Sequence, residues 1–358
     1  MSQNANDFPI EDLPDVKPHF ISKLKRAGID SIHELAVSIP NELVWDKGIG
    51  DDLQVVSELV TKARRSLIDS GLLVKEFCTA EEILERRKGL VRFSTGSAKL
   101  DTFLNGGIET QAVTEIAGEF GTGKSQICHT LCVTANTQKE KPRSGGSGSS
   151  SATTSTSTDH NVIFIDTENT FRAERVHQIV ETRRIRSVEE ILKRIFVCKI
   201  YNSAHLEYVI ANLGKYIEQY KANLVIVDSV ISLHRAEYTG RETLADRQQR
   251  LNIILHKLVR LTEIYNIAIV ITNQVQSIPD NSFGNSSYDP IRLAGGNIMA
   301  HASTYRIFLR KAGRNRIAIM LDSPSHAYSQ VKFAISEIGI KDVEEDKETS
   351  SKYSESGW

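Results

Sequence analysis

The segment from residue 118 to residue 125 has the residue types and spacing of a phosphate-binding loop. It fits the pattern G-x-x-x-x-G-K-[ST] and stands between an apolar strand-like run and an apolar helical run. In such loops glycines let backbone N–H groups approach phosphate oxygens, the lysine reaches the β and γ phosphates, and the hydroxyl binds Mg²⁺. The pattern therefore predicts a site for ATP and Mg²⁺ formed by Gly118, Glu119, Phe120, Gly121, Thr122, Gly123, Lys124 and Ser125.

Polar residues that could complete this site end three other apolar runs. Asp228 ends the run 224–227 and could bind the metal ion, with a cap on the next helix as the competing interpretation. Glu168 follows the run 162–165 and could orient or deprotonate a water molecule, or could be a solvated loop residue. Gln274 follows the run 267–271, and its amide could sense the γ phosphate or simply end a strand.

Arginines in two later loops could contact a nucleic-acid backbone. The first loop, residues 235–250, contains Arg235, Arg241, Arg247 and Arg250, and the second, residues 277–297, contains Arg292. Basic loops order readily on phosphates, so these side chains are candidate DNA-binding groups. A solvated charged loop is the competing interpretation.

The positions of these residues require a sheet whose strands end at one edge. Continuous apolar runs separated by helical stretches indicate parallel strands covered on both faces, so the fold class is α/β. Three later runs follow one another through short turns and predict antiparallel strands at one edge of the sheet: residues 305–309, 317–321 and 331–335.

Hydrophobic spacing and composition divide the chain into segments. Apolar residues recur at helical spacing before residue 70, whereas a Ser-, Thr- and Gly-rich stretch interrupts the α/β part. The predicted segments are a flexible tail at 1–12, a helical domain at 13–70, a linker at 71–88, an ATPase domain at 89–342 with a flexible insertion at 139–160, and a disordered tail at 343–358.

Overall composition places few limits on function. The 358 residues are 40% hydrophobic with a formal net charge of −1, so any contact with nucleic acid must come from a local patch. No run has the length and apolarity of a membrane span, and no membrane partner is expected. Cys128 and Cys132 are expected to be core residues in a cytoplasmic, nucleoid-associated protein.

In its order of motifs the chain resembles RadA-type recombinases of the RecA family. The resemblance covers residues 13–342 and is strongest at residues 77–80, 118–125, 166–168, 171–175, 235–241 and 295–301. It implies a RecA-like P-loop core after a helix-hairpin-helix-like domain. It also implies DNA-dependent ATP hydrolysis, self-association into a helical filament or ring on single-stranded DNA, and strand exchange with double-stranded DNA in recombinational repair, assisted by mediators.

The same resemblance implies roles for individual residues. Glu168 matches the catalytic glutamate, and Gln274 matches the γ-phosphate sensor that opens the second DNA-binding loop. Arg241 and Arg247 match arginines of the first DNA-binding loop. Three groups match the family's ATP contacts, namely Arg175, which stacks on adenine, His301, which faces ATP across the subunit interface, and Asp322 with Pro324, which cap ATP of the adjacent protomer.

Phe77 and Ala80 match the family's polymerisation motif, in which an apolar side chain enters the neighbouring subunit. From the residues alone, an ordinary linker anchored to its own domain is the competing interpretation. Asn169 stands where the family usually has glycine, and the segment 325–330 replaces an acidic stretch beside the cap. A monovalent cation is retained as a further candidate cofactor there. The alternative function is an ATP-binding recombination mediator with little turnover.

Overall fold

A computed structural model describes residues 8–45, 48–49, 52–75, 77–136, 160–185, 187–240, 242–275 and 293–343. Four helices precede residue 70 in these ranges: α1 Pro18–Arg26, α2 Ile32–Val37, α3 Pro40–Trp45 and α4 Leu53–Asp69. Side chains cap two of them, because Ser31 accepts the Glu34 amide of α2 and Asp52 accepts the Gln54 amide of α4. The helices enclose their own apolar core, which includes Leu24, Leu35, Val56 and Leu67.

The flexible tail predicted for residues 1–12 is too long. A short 3-10 helix, Ile10–Asp12, packs on the helical domain, and Ile10 is fully buried. The Ile10 amide donates to the Asp30 carbonyl at 3.0 Å, and Pro9 bridges to Ser31. The segment was predicted to be flexible because most of its residues are polar, but the single buried side chain of Ile10 anchors it. Residues 1–7 lie outside the described ranges.

A linker joins the helical domain to the α/β domain and ends in helix α5, Ala80–Lys88. The helix begins with a capping box, in which Thr79 accepts the Glu82 amide and Glu82 accepts the Thr79 amide. None of its residues is buried, and Phe77, just before it, is 92% exposed. The Phe77 ring therefore packs on none of the described residues closely enough to be covered.

Within the described residues, nine strands form one sheet in the order β11-β10-β9-β8-β3-β7-β6-β4-β5. Pairing is parallel between all neighbours from β8 through β3, β7, β6 and β4 to β5. The three later runs form β8, β9 and β10, which pair antiparallel with one another as predicted, and β11 adds an antiparallel strand that was not predicted. Strands β1 Arg92–Phe93 and β2 Ile108–Glu109 form a separate pair. The sheet consists of β3 Ala112–Gly118, β4 Asn161–Asp166, β5 Ile195–Lys199, β6 Ala222–Asp228, β7 Ala268–Gln274, β8 Tyr305–Ala312, β9 Asn315–Asp322, β10 Gln330–Ser336 and β11 Gly339–Asp342.

Helices cover both faces of this sheet. Successive residues of β4 alternate between two cores, because Val162 and Phe164 join one cluster and Ile163 and Ile165 the other. Cys128 and Cys132 are fully buried in the first cluster, which confirms their core role. The helices are α6 Ala98–Phe103, α7 Lys124–Thr134, α8 Ala173–Arg183, α9 Val188–Leu192, α10 Ser203–Ala211, α11 Leu213–Tyr220, α12 Ser232–Glu237, α13 Leu244–Ile264 and α14 Gly296–Ala302.

The helical domain docks on α11 and α13 through a polar contact around Glu218. Ser31 donates its hydroxyl to Glu218 Oε1 at 2.6 Å, and the Tyr265 hydroxyl donates to the same oxygen at 3.1 Å. The His33 and Tyr265 rings stack 5.4 Å apart, and Lys215 pairs with Asp30 at 3.2 Å. Burial raises the pKa of Glu218 to about 7. The domain contact is therefore sensitive to the charge on one carboxyl group.

We expect the Glu218→Gln variant to be more stable than the wild type at pH 8 and equal to it near pH 4.5. A carboxyl group whose pKa rises from 4.5 to about 7 on folding stabilises the fold below pH 4.5 and loses that contribution as pH rises through 7. The difference at pH 8 should be roughly 3 kcal/mol. Burial lowers the pKa of His33 to about 4, which destabilises the fold in acid, but this effect is common to both proteins.

Denaturant midpoints at pH 4.5 and pH 8 measure this difference. The exposed Glu190→Gln change is the matched control and should leave both midpoints unchanged. A Glu218→Gln midpoint that follows the wild type at both pH values would contradict the assignment.

Candidate nucleotide-binding and catalytic site

The predicted phosphate loop joins β3 to α7, an 11-residue helix. Gly123, before the helix, has φ 108°, which favours glycine. A Cβ atom on Gly118 would lie 2.6 Å from the Leu309 carbonyl oxygen, so this position also needs glycine. The loop backbone thus packs closely against β8 at Gly118 and leads directly into the first turn of α7. Unpaired N–H groups and the helix dipole favour phosphate at such a helix start.

Lys124 is folded over this loop. Its Nζ donates to the Gly118 carbonyl at 2.8 Å and to the Glu119 carbonyl at 3.0 Å. Burial lowers the pKa of Lys124, whereas the charges of Asp228 and Glu168 act in the opposite direction. The ammonium group therefore lies in a partly desolvated pocket beside two carboxylates, where its attraction for an anion is strong.

Asp228 ends β6 and is almost completely buried. Its Oδ2 accepts hydrogen bonds from the hydroxyls of Ser125 at 2.6 Å and Thr170 at 2.9 Å, and its Oδ1 accepts one from Thr272 at 2.5 Å. These bonds fix the carboxylate beside the serine of the phosphate loop. A hydroxyl and a carboxylate are oxygen ligands of the kind that Mg²⁺ binds, so the residue set fits this ion.

Glu168 lies at the carboxyl end of β4, on the exposed side of the same edge. Its Oε1 accepts a hydrogen bond from the Ser229 hydroxyl at 2.7 Å and another from Gln274 Nε2 at 2.9 Å. Within the described residues Oε2 has no hydrogen-bond donor. One oxygen is thus held in place by two donors, and the other is left to act on a further group.

Hydrogen bonds to Asp166 fix the turn that carries Glu168. The Asp166 carboxylate accepts the amides of Thr170 at 3.0 Å and Phe171 at 3.1 Å. Asn169 has φ 54°, in the left-handed region. Among residues other than glycine, asparagine adopts this conformation most readily, which explains how it can stand at a position where the resemblance leads one to expect glycine.

Gln274 connects Glu168 to the segment predicted as the first arginine loop, residues 235–250. The prediction of a loop is wrong for most of this segment, because its beginning lies in α12 and its end in α13. While its Nε2 binds Glu168, its Oε1 accepts a hydrogen bond from Arg235 Nη1 at 3.3 Å. Arg235 lies in α12. The structure therefore brings a predicted catalytic carboxylate, a predicted sensor and a predicted DNA-binding arginine into one hydrogen-bonded chain.

Other predicted site residues lie further from Lys124. Arg175 on α8 donates to Gln126 Oε1 at 2.9 Å and to the Ser336 carbonyl at 2.5 Å, which places it on the rim beside the phosphate-loop helix. Arg247 on α13 makes a long contact of 3.5 Å with the Tyr238 carbonyl. Arg250, which sequence reasoning also placed in the first arginine loop, is instead paired with Glu207 at 2.8 Å.

Several other predicted site residues lie on the surface of the described chain. His301 on α14 is exposed, as are Asp322 and Pro324 at the end of β9. Ala80 is exposed at the start of α5, beside Phe77. The predictions for Arg241 and Arg292 lie outside the described residues, as does nearly all of the predicted insertion.

Sequence reasoning missed strand β5 and the pocket beside it. The strand has five residues with alternating burial, too short and too mixed for a reliable apolar signal. Among the described strands it pairs with β4 alone, and it forms one edge of the sheet there. A pocket of about 280 Å³ opens next to it, lined by Ile163, Phe196, Val197, Cys198, Val209, Leu213, Tyr216 and Tyr220.

Comparison with known proteins assigns this arrangement to a family. The Rad51 family profile matches residues 86–343. The chain belongs to the Rad51 family. It is also 41% identical over 343 residues to the DNA repair and recombination protein RadA of Cenarchaeum symbiosum (strain A). This alignment covers 96% of this chain and 81% of the relative. The resemblance to RadA-type recombinases and the RecA-like α/β fold are thereby confirmed.

The Rad51-family match begins within α5 and extends through β11, so it includes every described residue of the candidate site. The alignment with RadA extends over nearly the whole chain and so takes in the helical domain as well. Among the described helices of this Rad51-family chain, none combines the length and apolarity needed to cross a bilayer.

Proposed function

We propose that the protein is a DNA-dependent ATPase that forms filaments on single-stranded DNA and catalyses homologous pairing and strand exchange in recombinational repair. The observation that carries this proposal is the chain of hydrogen bonds from Glu168 through Gln274 to Arg235. It joins a carboxylate beside the phosphate loop to a basic side chain of the first arginine loop. Hydrolysis and DNA binding can influence each other through this chain. Membership of the Rad51 family supports the same function.

The phosphate loop and Lys124 would hold the triphosphate of ATP, and Ser125 and Asp228 would hold Mg²⁺. When bound, the ion neutralises charge on the β and γ phosphates. The hydroxyls of Thr170 and Thr272 keep the Asp228 carboxylate in place. The chain's own contribution is thus a pre-organised cradle of backbone N–H groups, one ammonium group and two fixed metal-binding oxygens, and such positioning is the main requirement for phosphoryl transfer.

Glu168 would orient the attacking water and accept its proton at Oε2. Its Oε1 is occupied by Ser229 and Gln274, so the carboxylate cannot rotate freely. Gln274 donates to Glu168 through the same amide that would reach the γ phosphate. Movement of Gln274 toward the nucleotide would change how Glu168 is held, which gives the sensor a direct effect on the general base.

Arg235 would link this sensor to DNA. Its guanidinium holds Gln274 Oε1 only loosely, at 3.3 Å, and a DNA phosphate would compete for it as a bidentate partner. Arg247, Arg241 and Arg292 would add further phosphate contacts. Rates of hydrolysis measured with and without single-stranded DNA test this link. Stimulation by DNA supports the recombinase, whereas ATP binding with slow, unstimulated hydrolysis would support the alternative, a mediator.

The exposed Phe77 and the pocket beside β5 would join one protomer to the next. The pocket is apolar and lies at a sheet edge whose N–H and C=O groups are available for pairing. A segment containing Phe77 could add to that edge as a strand and insert its ring into the pocket. Val197, Tyr201 and Tyr208, all exposed, extend the apolar surface around it.

Assembly of this kind would also bring His301, Asp322 and Pro324 to nucleotide bound on a neighbour. Their exposure is compatible with this role, which rests on the family resemblance. ATP would then lie between protomers, and its hydrolysis would alter the filament. A monovalent cation at the cap is proposed on the same family resemblance.

We expect Phe77→Glu to abolish filament formation while nucleotide binding is retained. Burial of a phenylalanine contributes about 1.5–3 kcal/mol, and an unpaired carboxylate in an apolar pocket is strongly unfavourable. Self-association should therefore weaken by at least about 100-fold. Light scattering and electron microscopy measure assembly, and a fluorescent ATP analogue measures binding.

Trp45→Glu is the matched control, because Trp45 is also an exposed aromatic residue, at 80%, but lies on the helical domain. It should leave assembly unchanged. Normal filaments from Phe77→Glu would show that Phe77 is only part of a linker.

A further inference from the structure

A fully buried carboxylate, Glu115, lies on β3, the strand beside β7, which carries Gln274 at its end. Glu115 is in the middle of β3, and its Oε2 accepts a hydrogen bond from Arg306 Nε of β8 at 2.6 Å. The two residues are direct partners in the parallel pairing of β3 and β8. A buried ion pair is seldom more stabilising than an apolar pair of similar size, because both charges lose their hydration. Stability alone therefore does not explain this pair.

The other oxygen of Glu115 binds Asn273, the residue before the sensor. Asn273 is fully buried, and its Nδ2 donates to Glu115 Oε1 at 2.7 Å and to the Ala294 carbonyl at 2.8 Å. Its Oδ1 accepts the Gln274 amide at 2.7 Å. Both N–H groups of the amide are thus used on acceptors, which fixes its orientation.

Gln274 is also tied to Leu293 and Ala294, which lie within the segment 277–297 predicted as the second arginine loop. The Ala294 amide donates to the Gln274 carbonyl at 2.9 Å, and Val275 bridges to Leu293. Asn273 therefore holds the backbone of Gln274 from one side and the carbonyl of Ala294 from the other. A continuous polar path runs from Arg306 through Glu115 and Asn273 to Gln274.

We propose that Asn273, held by the Glu115–Arg306 pair, is a positioning residue that keeps Gln274 directed at Glu168 and so sets the response of ATP hydrolysis to DNA. The inference rests on the proposed function. A brace that only stabilises the sheet is the competing explanation. The two differ in whether loss of Asn273 affects the sensor specifically.

The test compares Asn273→Ala with Asn136→Ala. Asn136 is also fully buried and donates to a backbone carbonyl, that of Cys132, but it lies just beyond the far end of α7. We expect Asn273→Ala to lower the DNA-stimulated kcat at least tenfold while KM for ATP changes by less than about twofold. Asn136→Ala should keep the DNA stimulation, even if its melting temperature falls by a similar amount.

A double variant separates positioning from stability. If Asn273 acts through Gln274, then Asn273→Ala combined with Gln274→Ala should be no slower than Gln274→Ala alone. Multiplied losses, or full stimulation in Asn273→Ala, would overturn the proposal. If Asn273→Ala does not fold, Asn273→Ser serves instead. The serine hydroxyl cannot make all the bonds of the amide, so DNA stimulation should fall at least about threefold. Unchanged DNA stimulation in Asn273→Ser would overturn the proposal.

Amide hydrogen exchange provides a readout that does not depend on hydrolysis. Loss of Asn273 should accelerate exchange at the Gln274 and Ala294 amides, and loss of Asn136 should not. If wild-type hydrolysis does not respond to DNA, the proposed function fails, and this exchange measurement still decides the positioning role. Unchanged exchange at both amides would contradict it.

Discussion

Lys124→Ala is expected to abolish ATP-driven strand exchange. The Lys124 ammonium group lies over the phosphate loop and donates to the Gly118 and Glu119 carbonyls. In the presence of ATP these bonds would be replaced by stronger charge-assisted bonds to phosphate oxygens. Loss of one such donor lowers kcat by about 100- to 1,000-fold in other enzymes, and nucleotide affinity should fall as well.

Two further variants make this result interpretable. Lys193→Ala removes an exposed lysine outside the site and should behave as the wild type. Lys124→Arg keeps the charge but replaces a compact ammonium by a planar fork, so it should bind ATP and still hydrolyse it poorly. Phosphate release and strand exchange are measured together. Strand exchange by Lys124→Ala at near the wild-type rate would show that the loop is not the site that drives the reaction.

Glu168→Gln should separate hydrolysis from filament formation. Glutamine keeps the shape of the side chain and an oxygen that can accept from Ser229 and Gln274, but it cannot take a proton from water. General-base catalysis contributes typically 100- to 10,000-fold, so kcat with single-stranded DNA should fall within that range. ATP binding and ATP-dependent assembly should be retained, because the phosphate loop and the Phe77 segment are unchanged.

Phosphate release under saturating ATP measures the loss, and electron microscopy measures assembly. The matched control is Glu174→Gln, an exposed glutamate on the first turn of α8. It should hydrolyse ATP at the wild-type rate. A Glu168→Gln protein within about fivefold of wild-type kcat would assign the proton transfer to another group.

The parts of this site that sequence predicted share a physical cause. The phosphate loop, Asp228, Glu168 and Gln274 each follow an apolar run, and parallel strands must end at the same sheet edge. Their proximity therefore follows from fold class and local pattern. The same apolar runs predicted the α/β class, whereas the antiparallel edge was predicted from three runs joined by short turns.

Other features depend on contacts between distant residues and left no local signal. Glu115, Asn273 and Arg306 come from β3, β7 and β8, and only packing of the strands brings them together. The pocket beside β5 depends on how α10 and α11 cover a short strand. Ile10 lies in a polar segment, and its burial depends on the helical domain that receives it.

Homologous strand exchange itself is the most direct test of the central claim that ATP binding, DNA binding and assembly act together in this protein. A fluorescence assay would follow transfer of a labelled strand from a duplex to a filament formed on complementary single-stranded DNA. We predict exchange with ATP and with a slowly hydrolysed analogue, none with ADP, none without homology, and none with the Phe77→Glu variant. Filaments that form with ATP on single-stranded DNA but exchange no strand with a homologous duplex would contradict it.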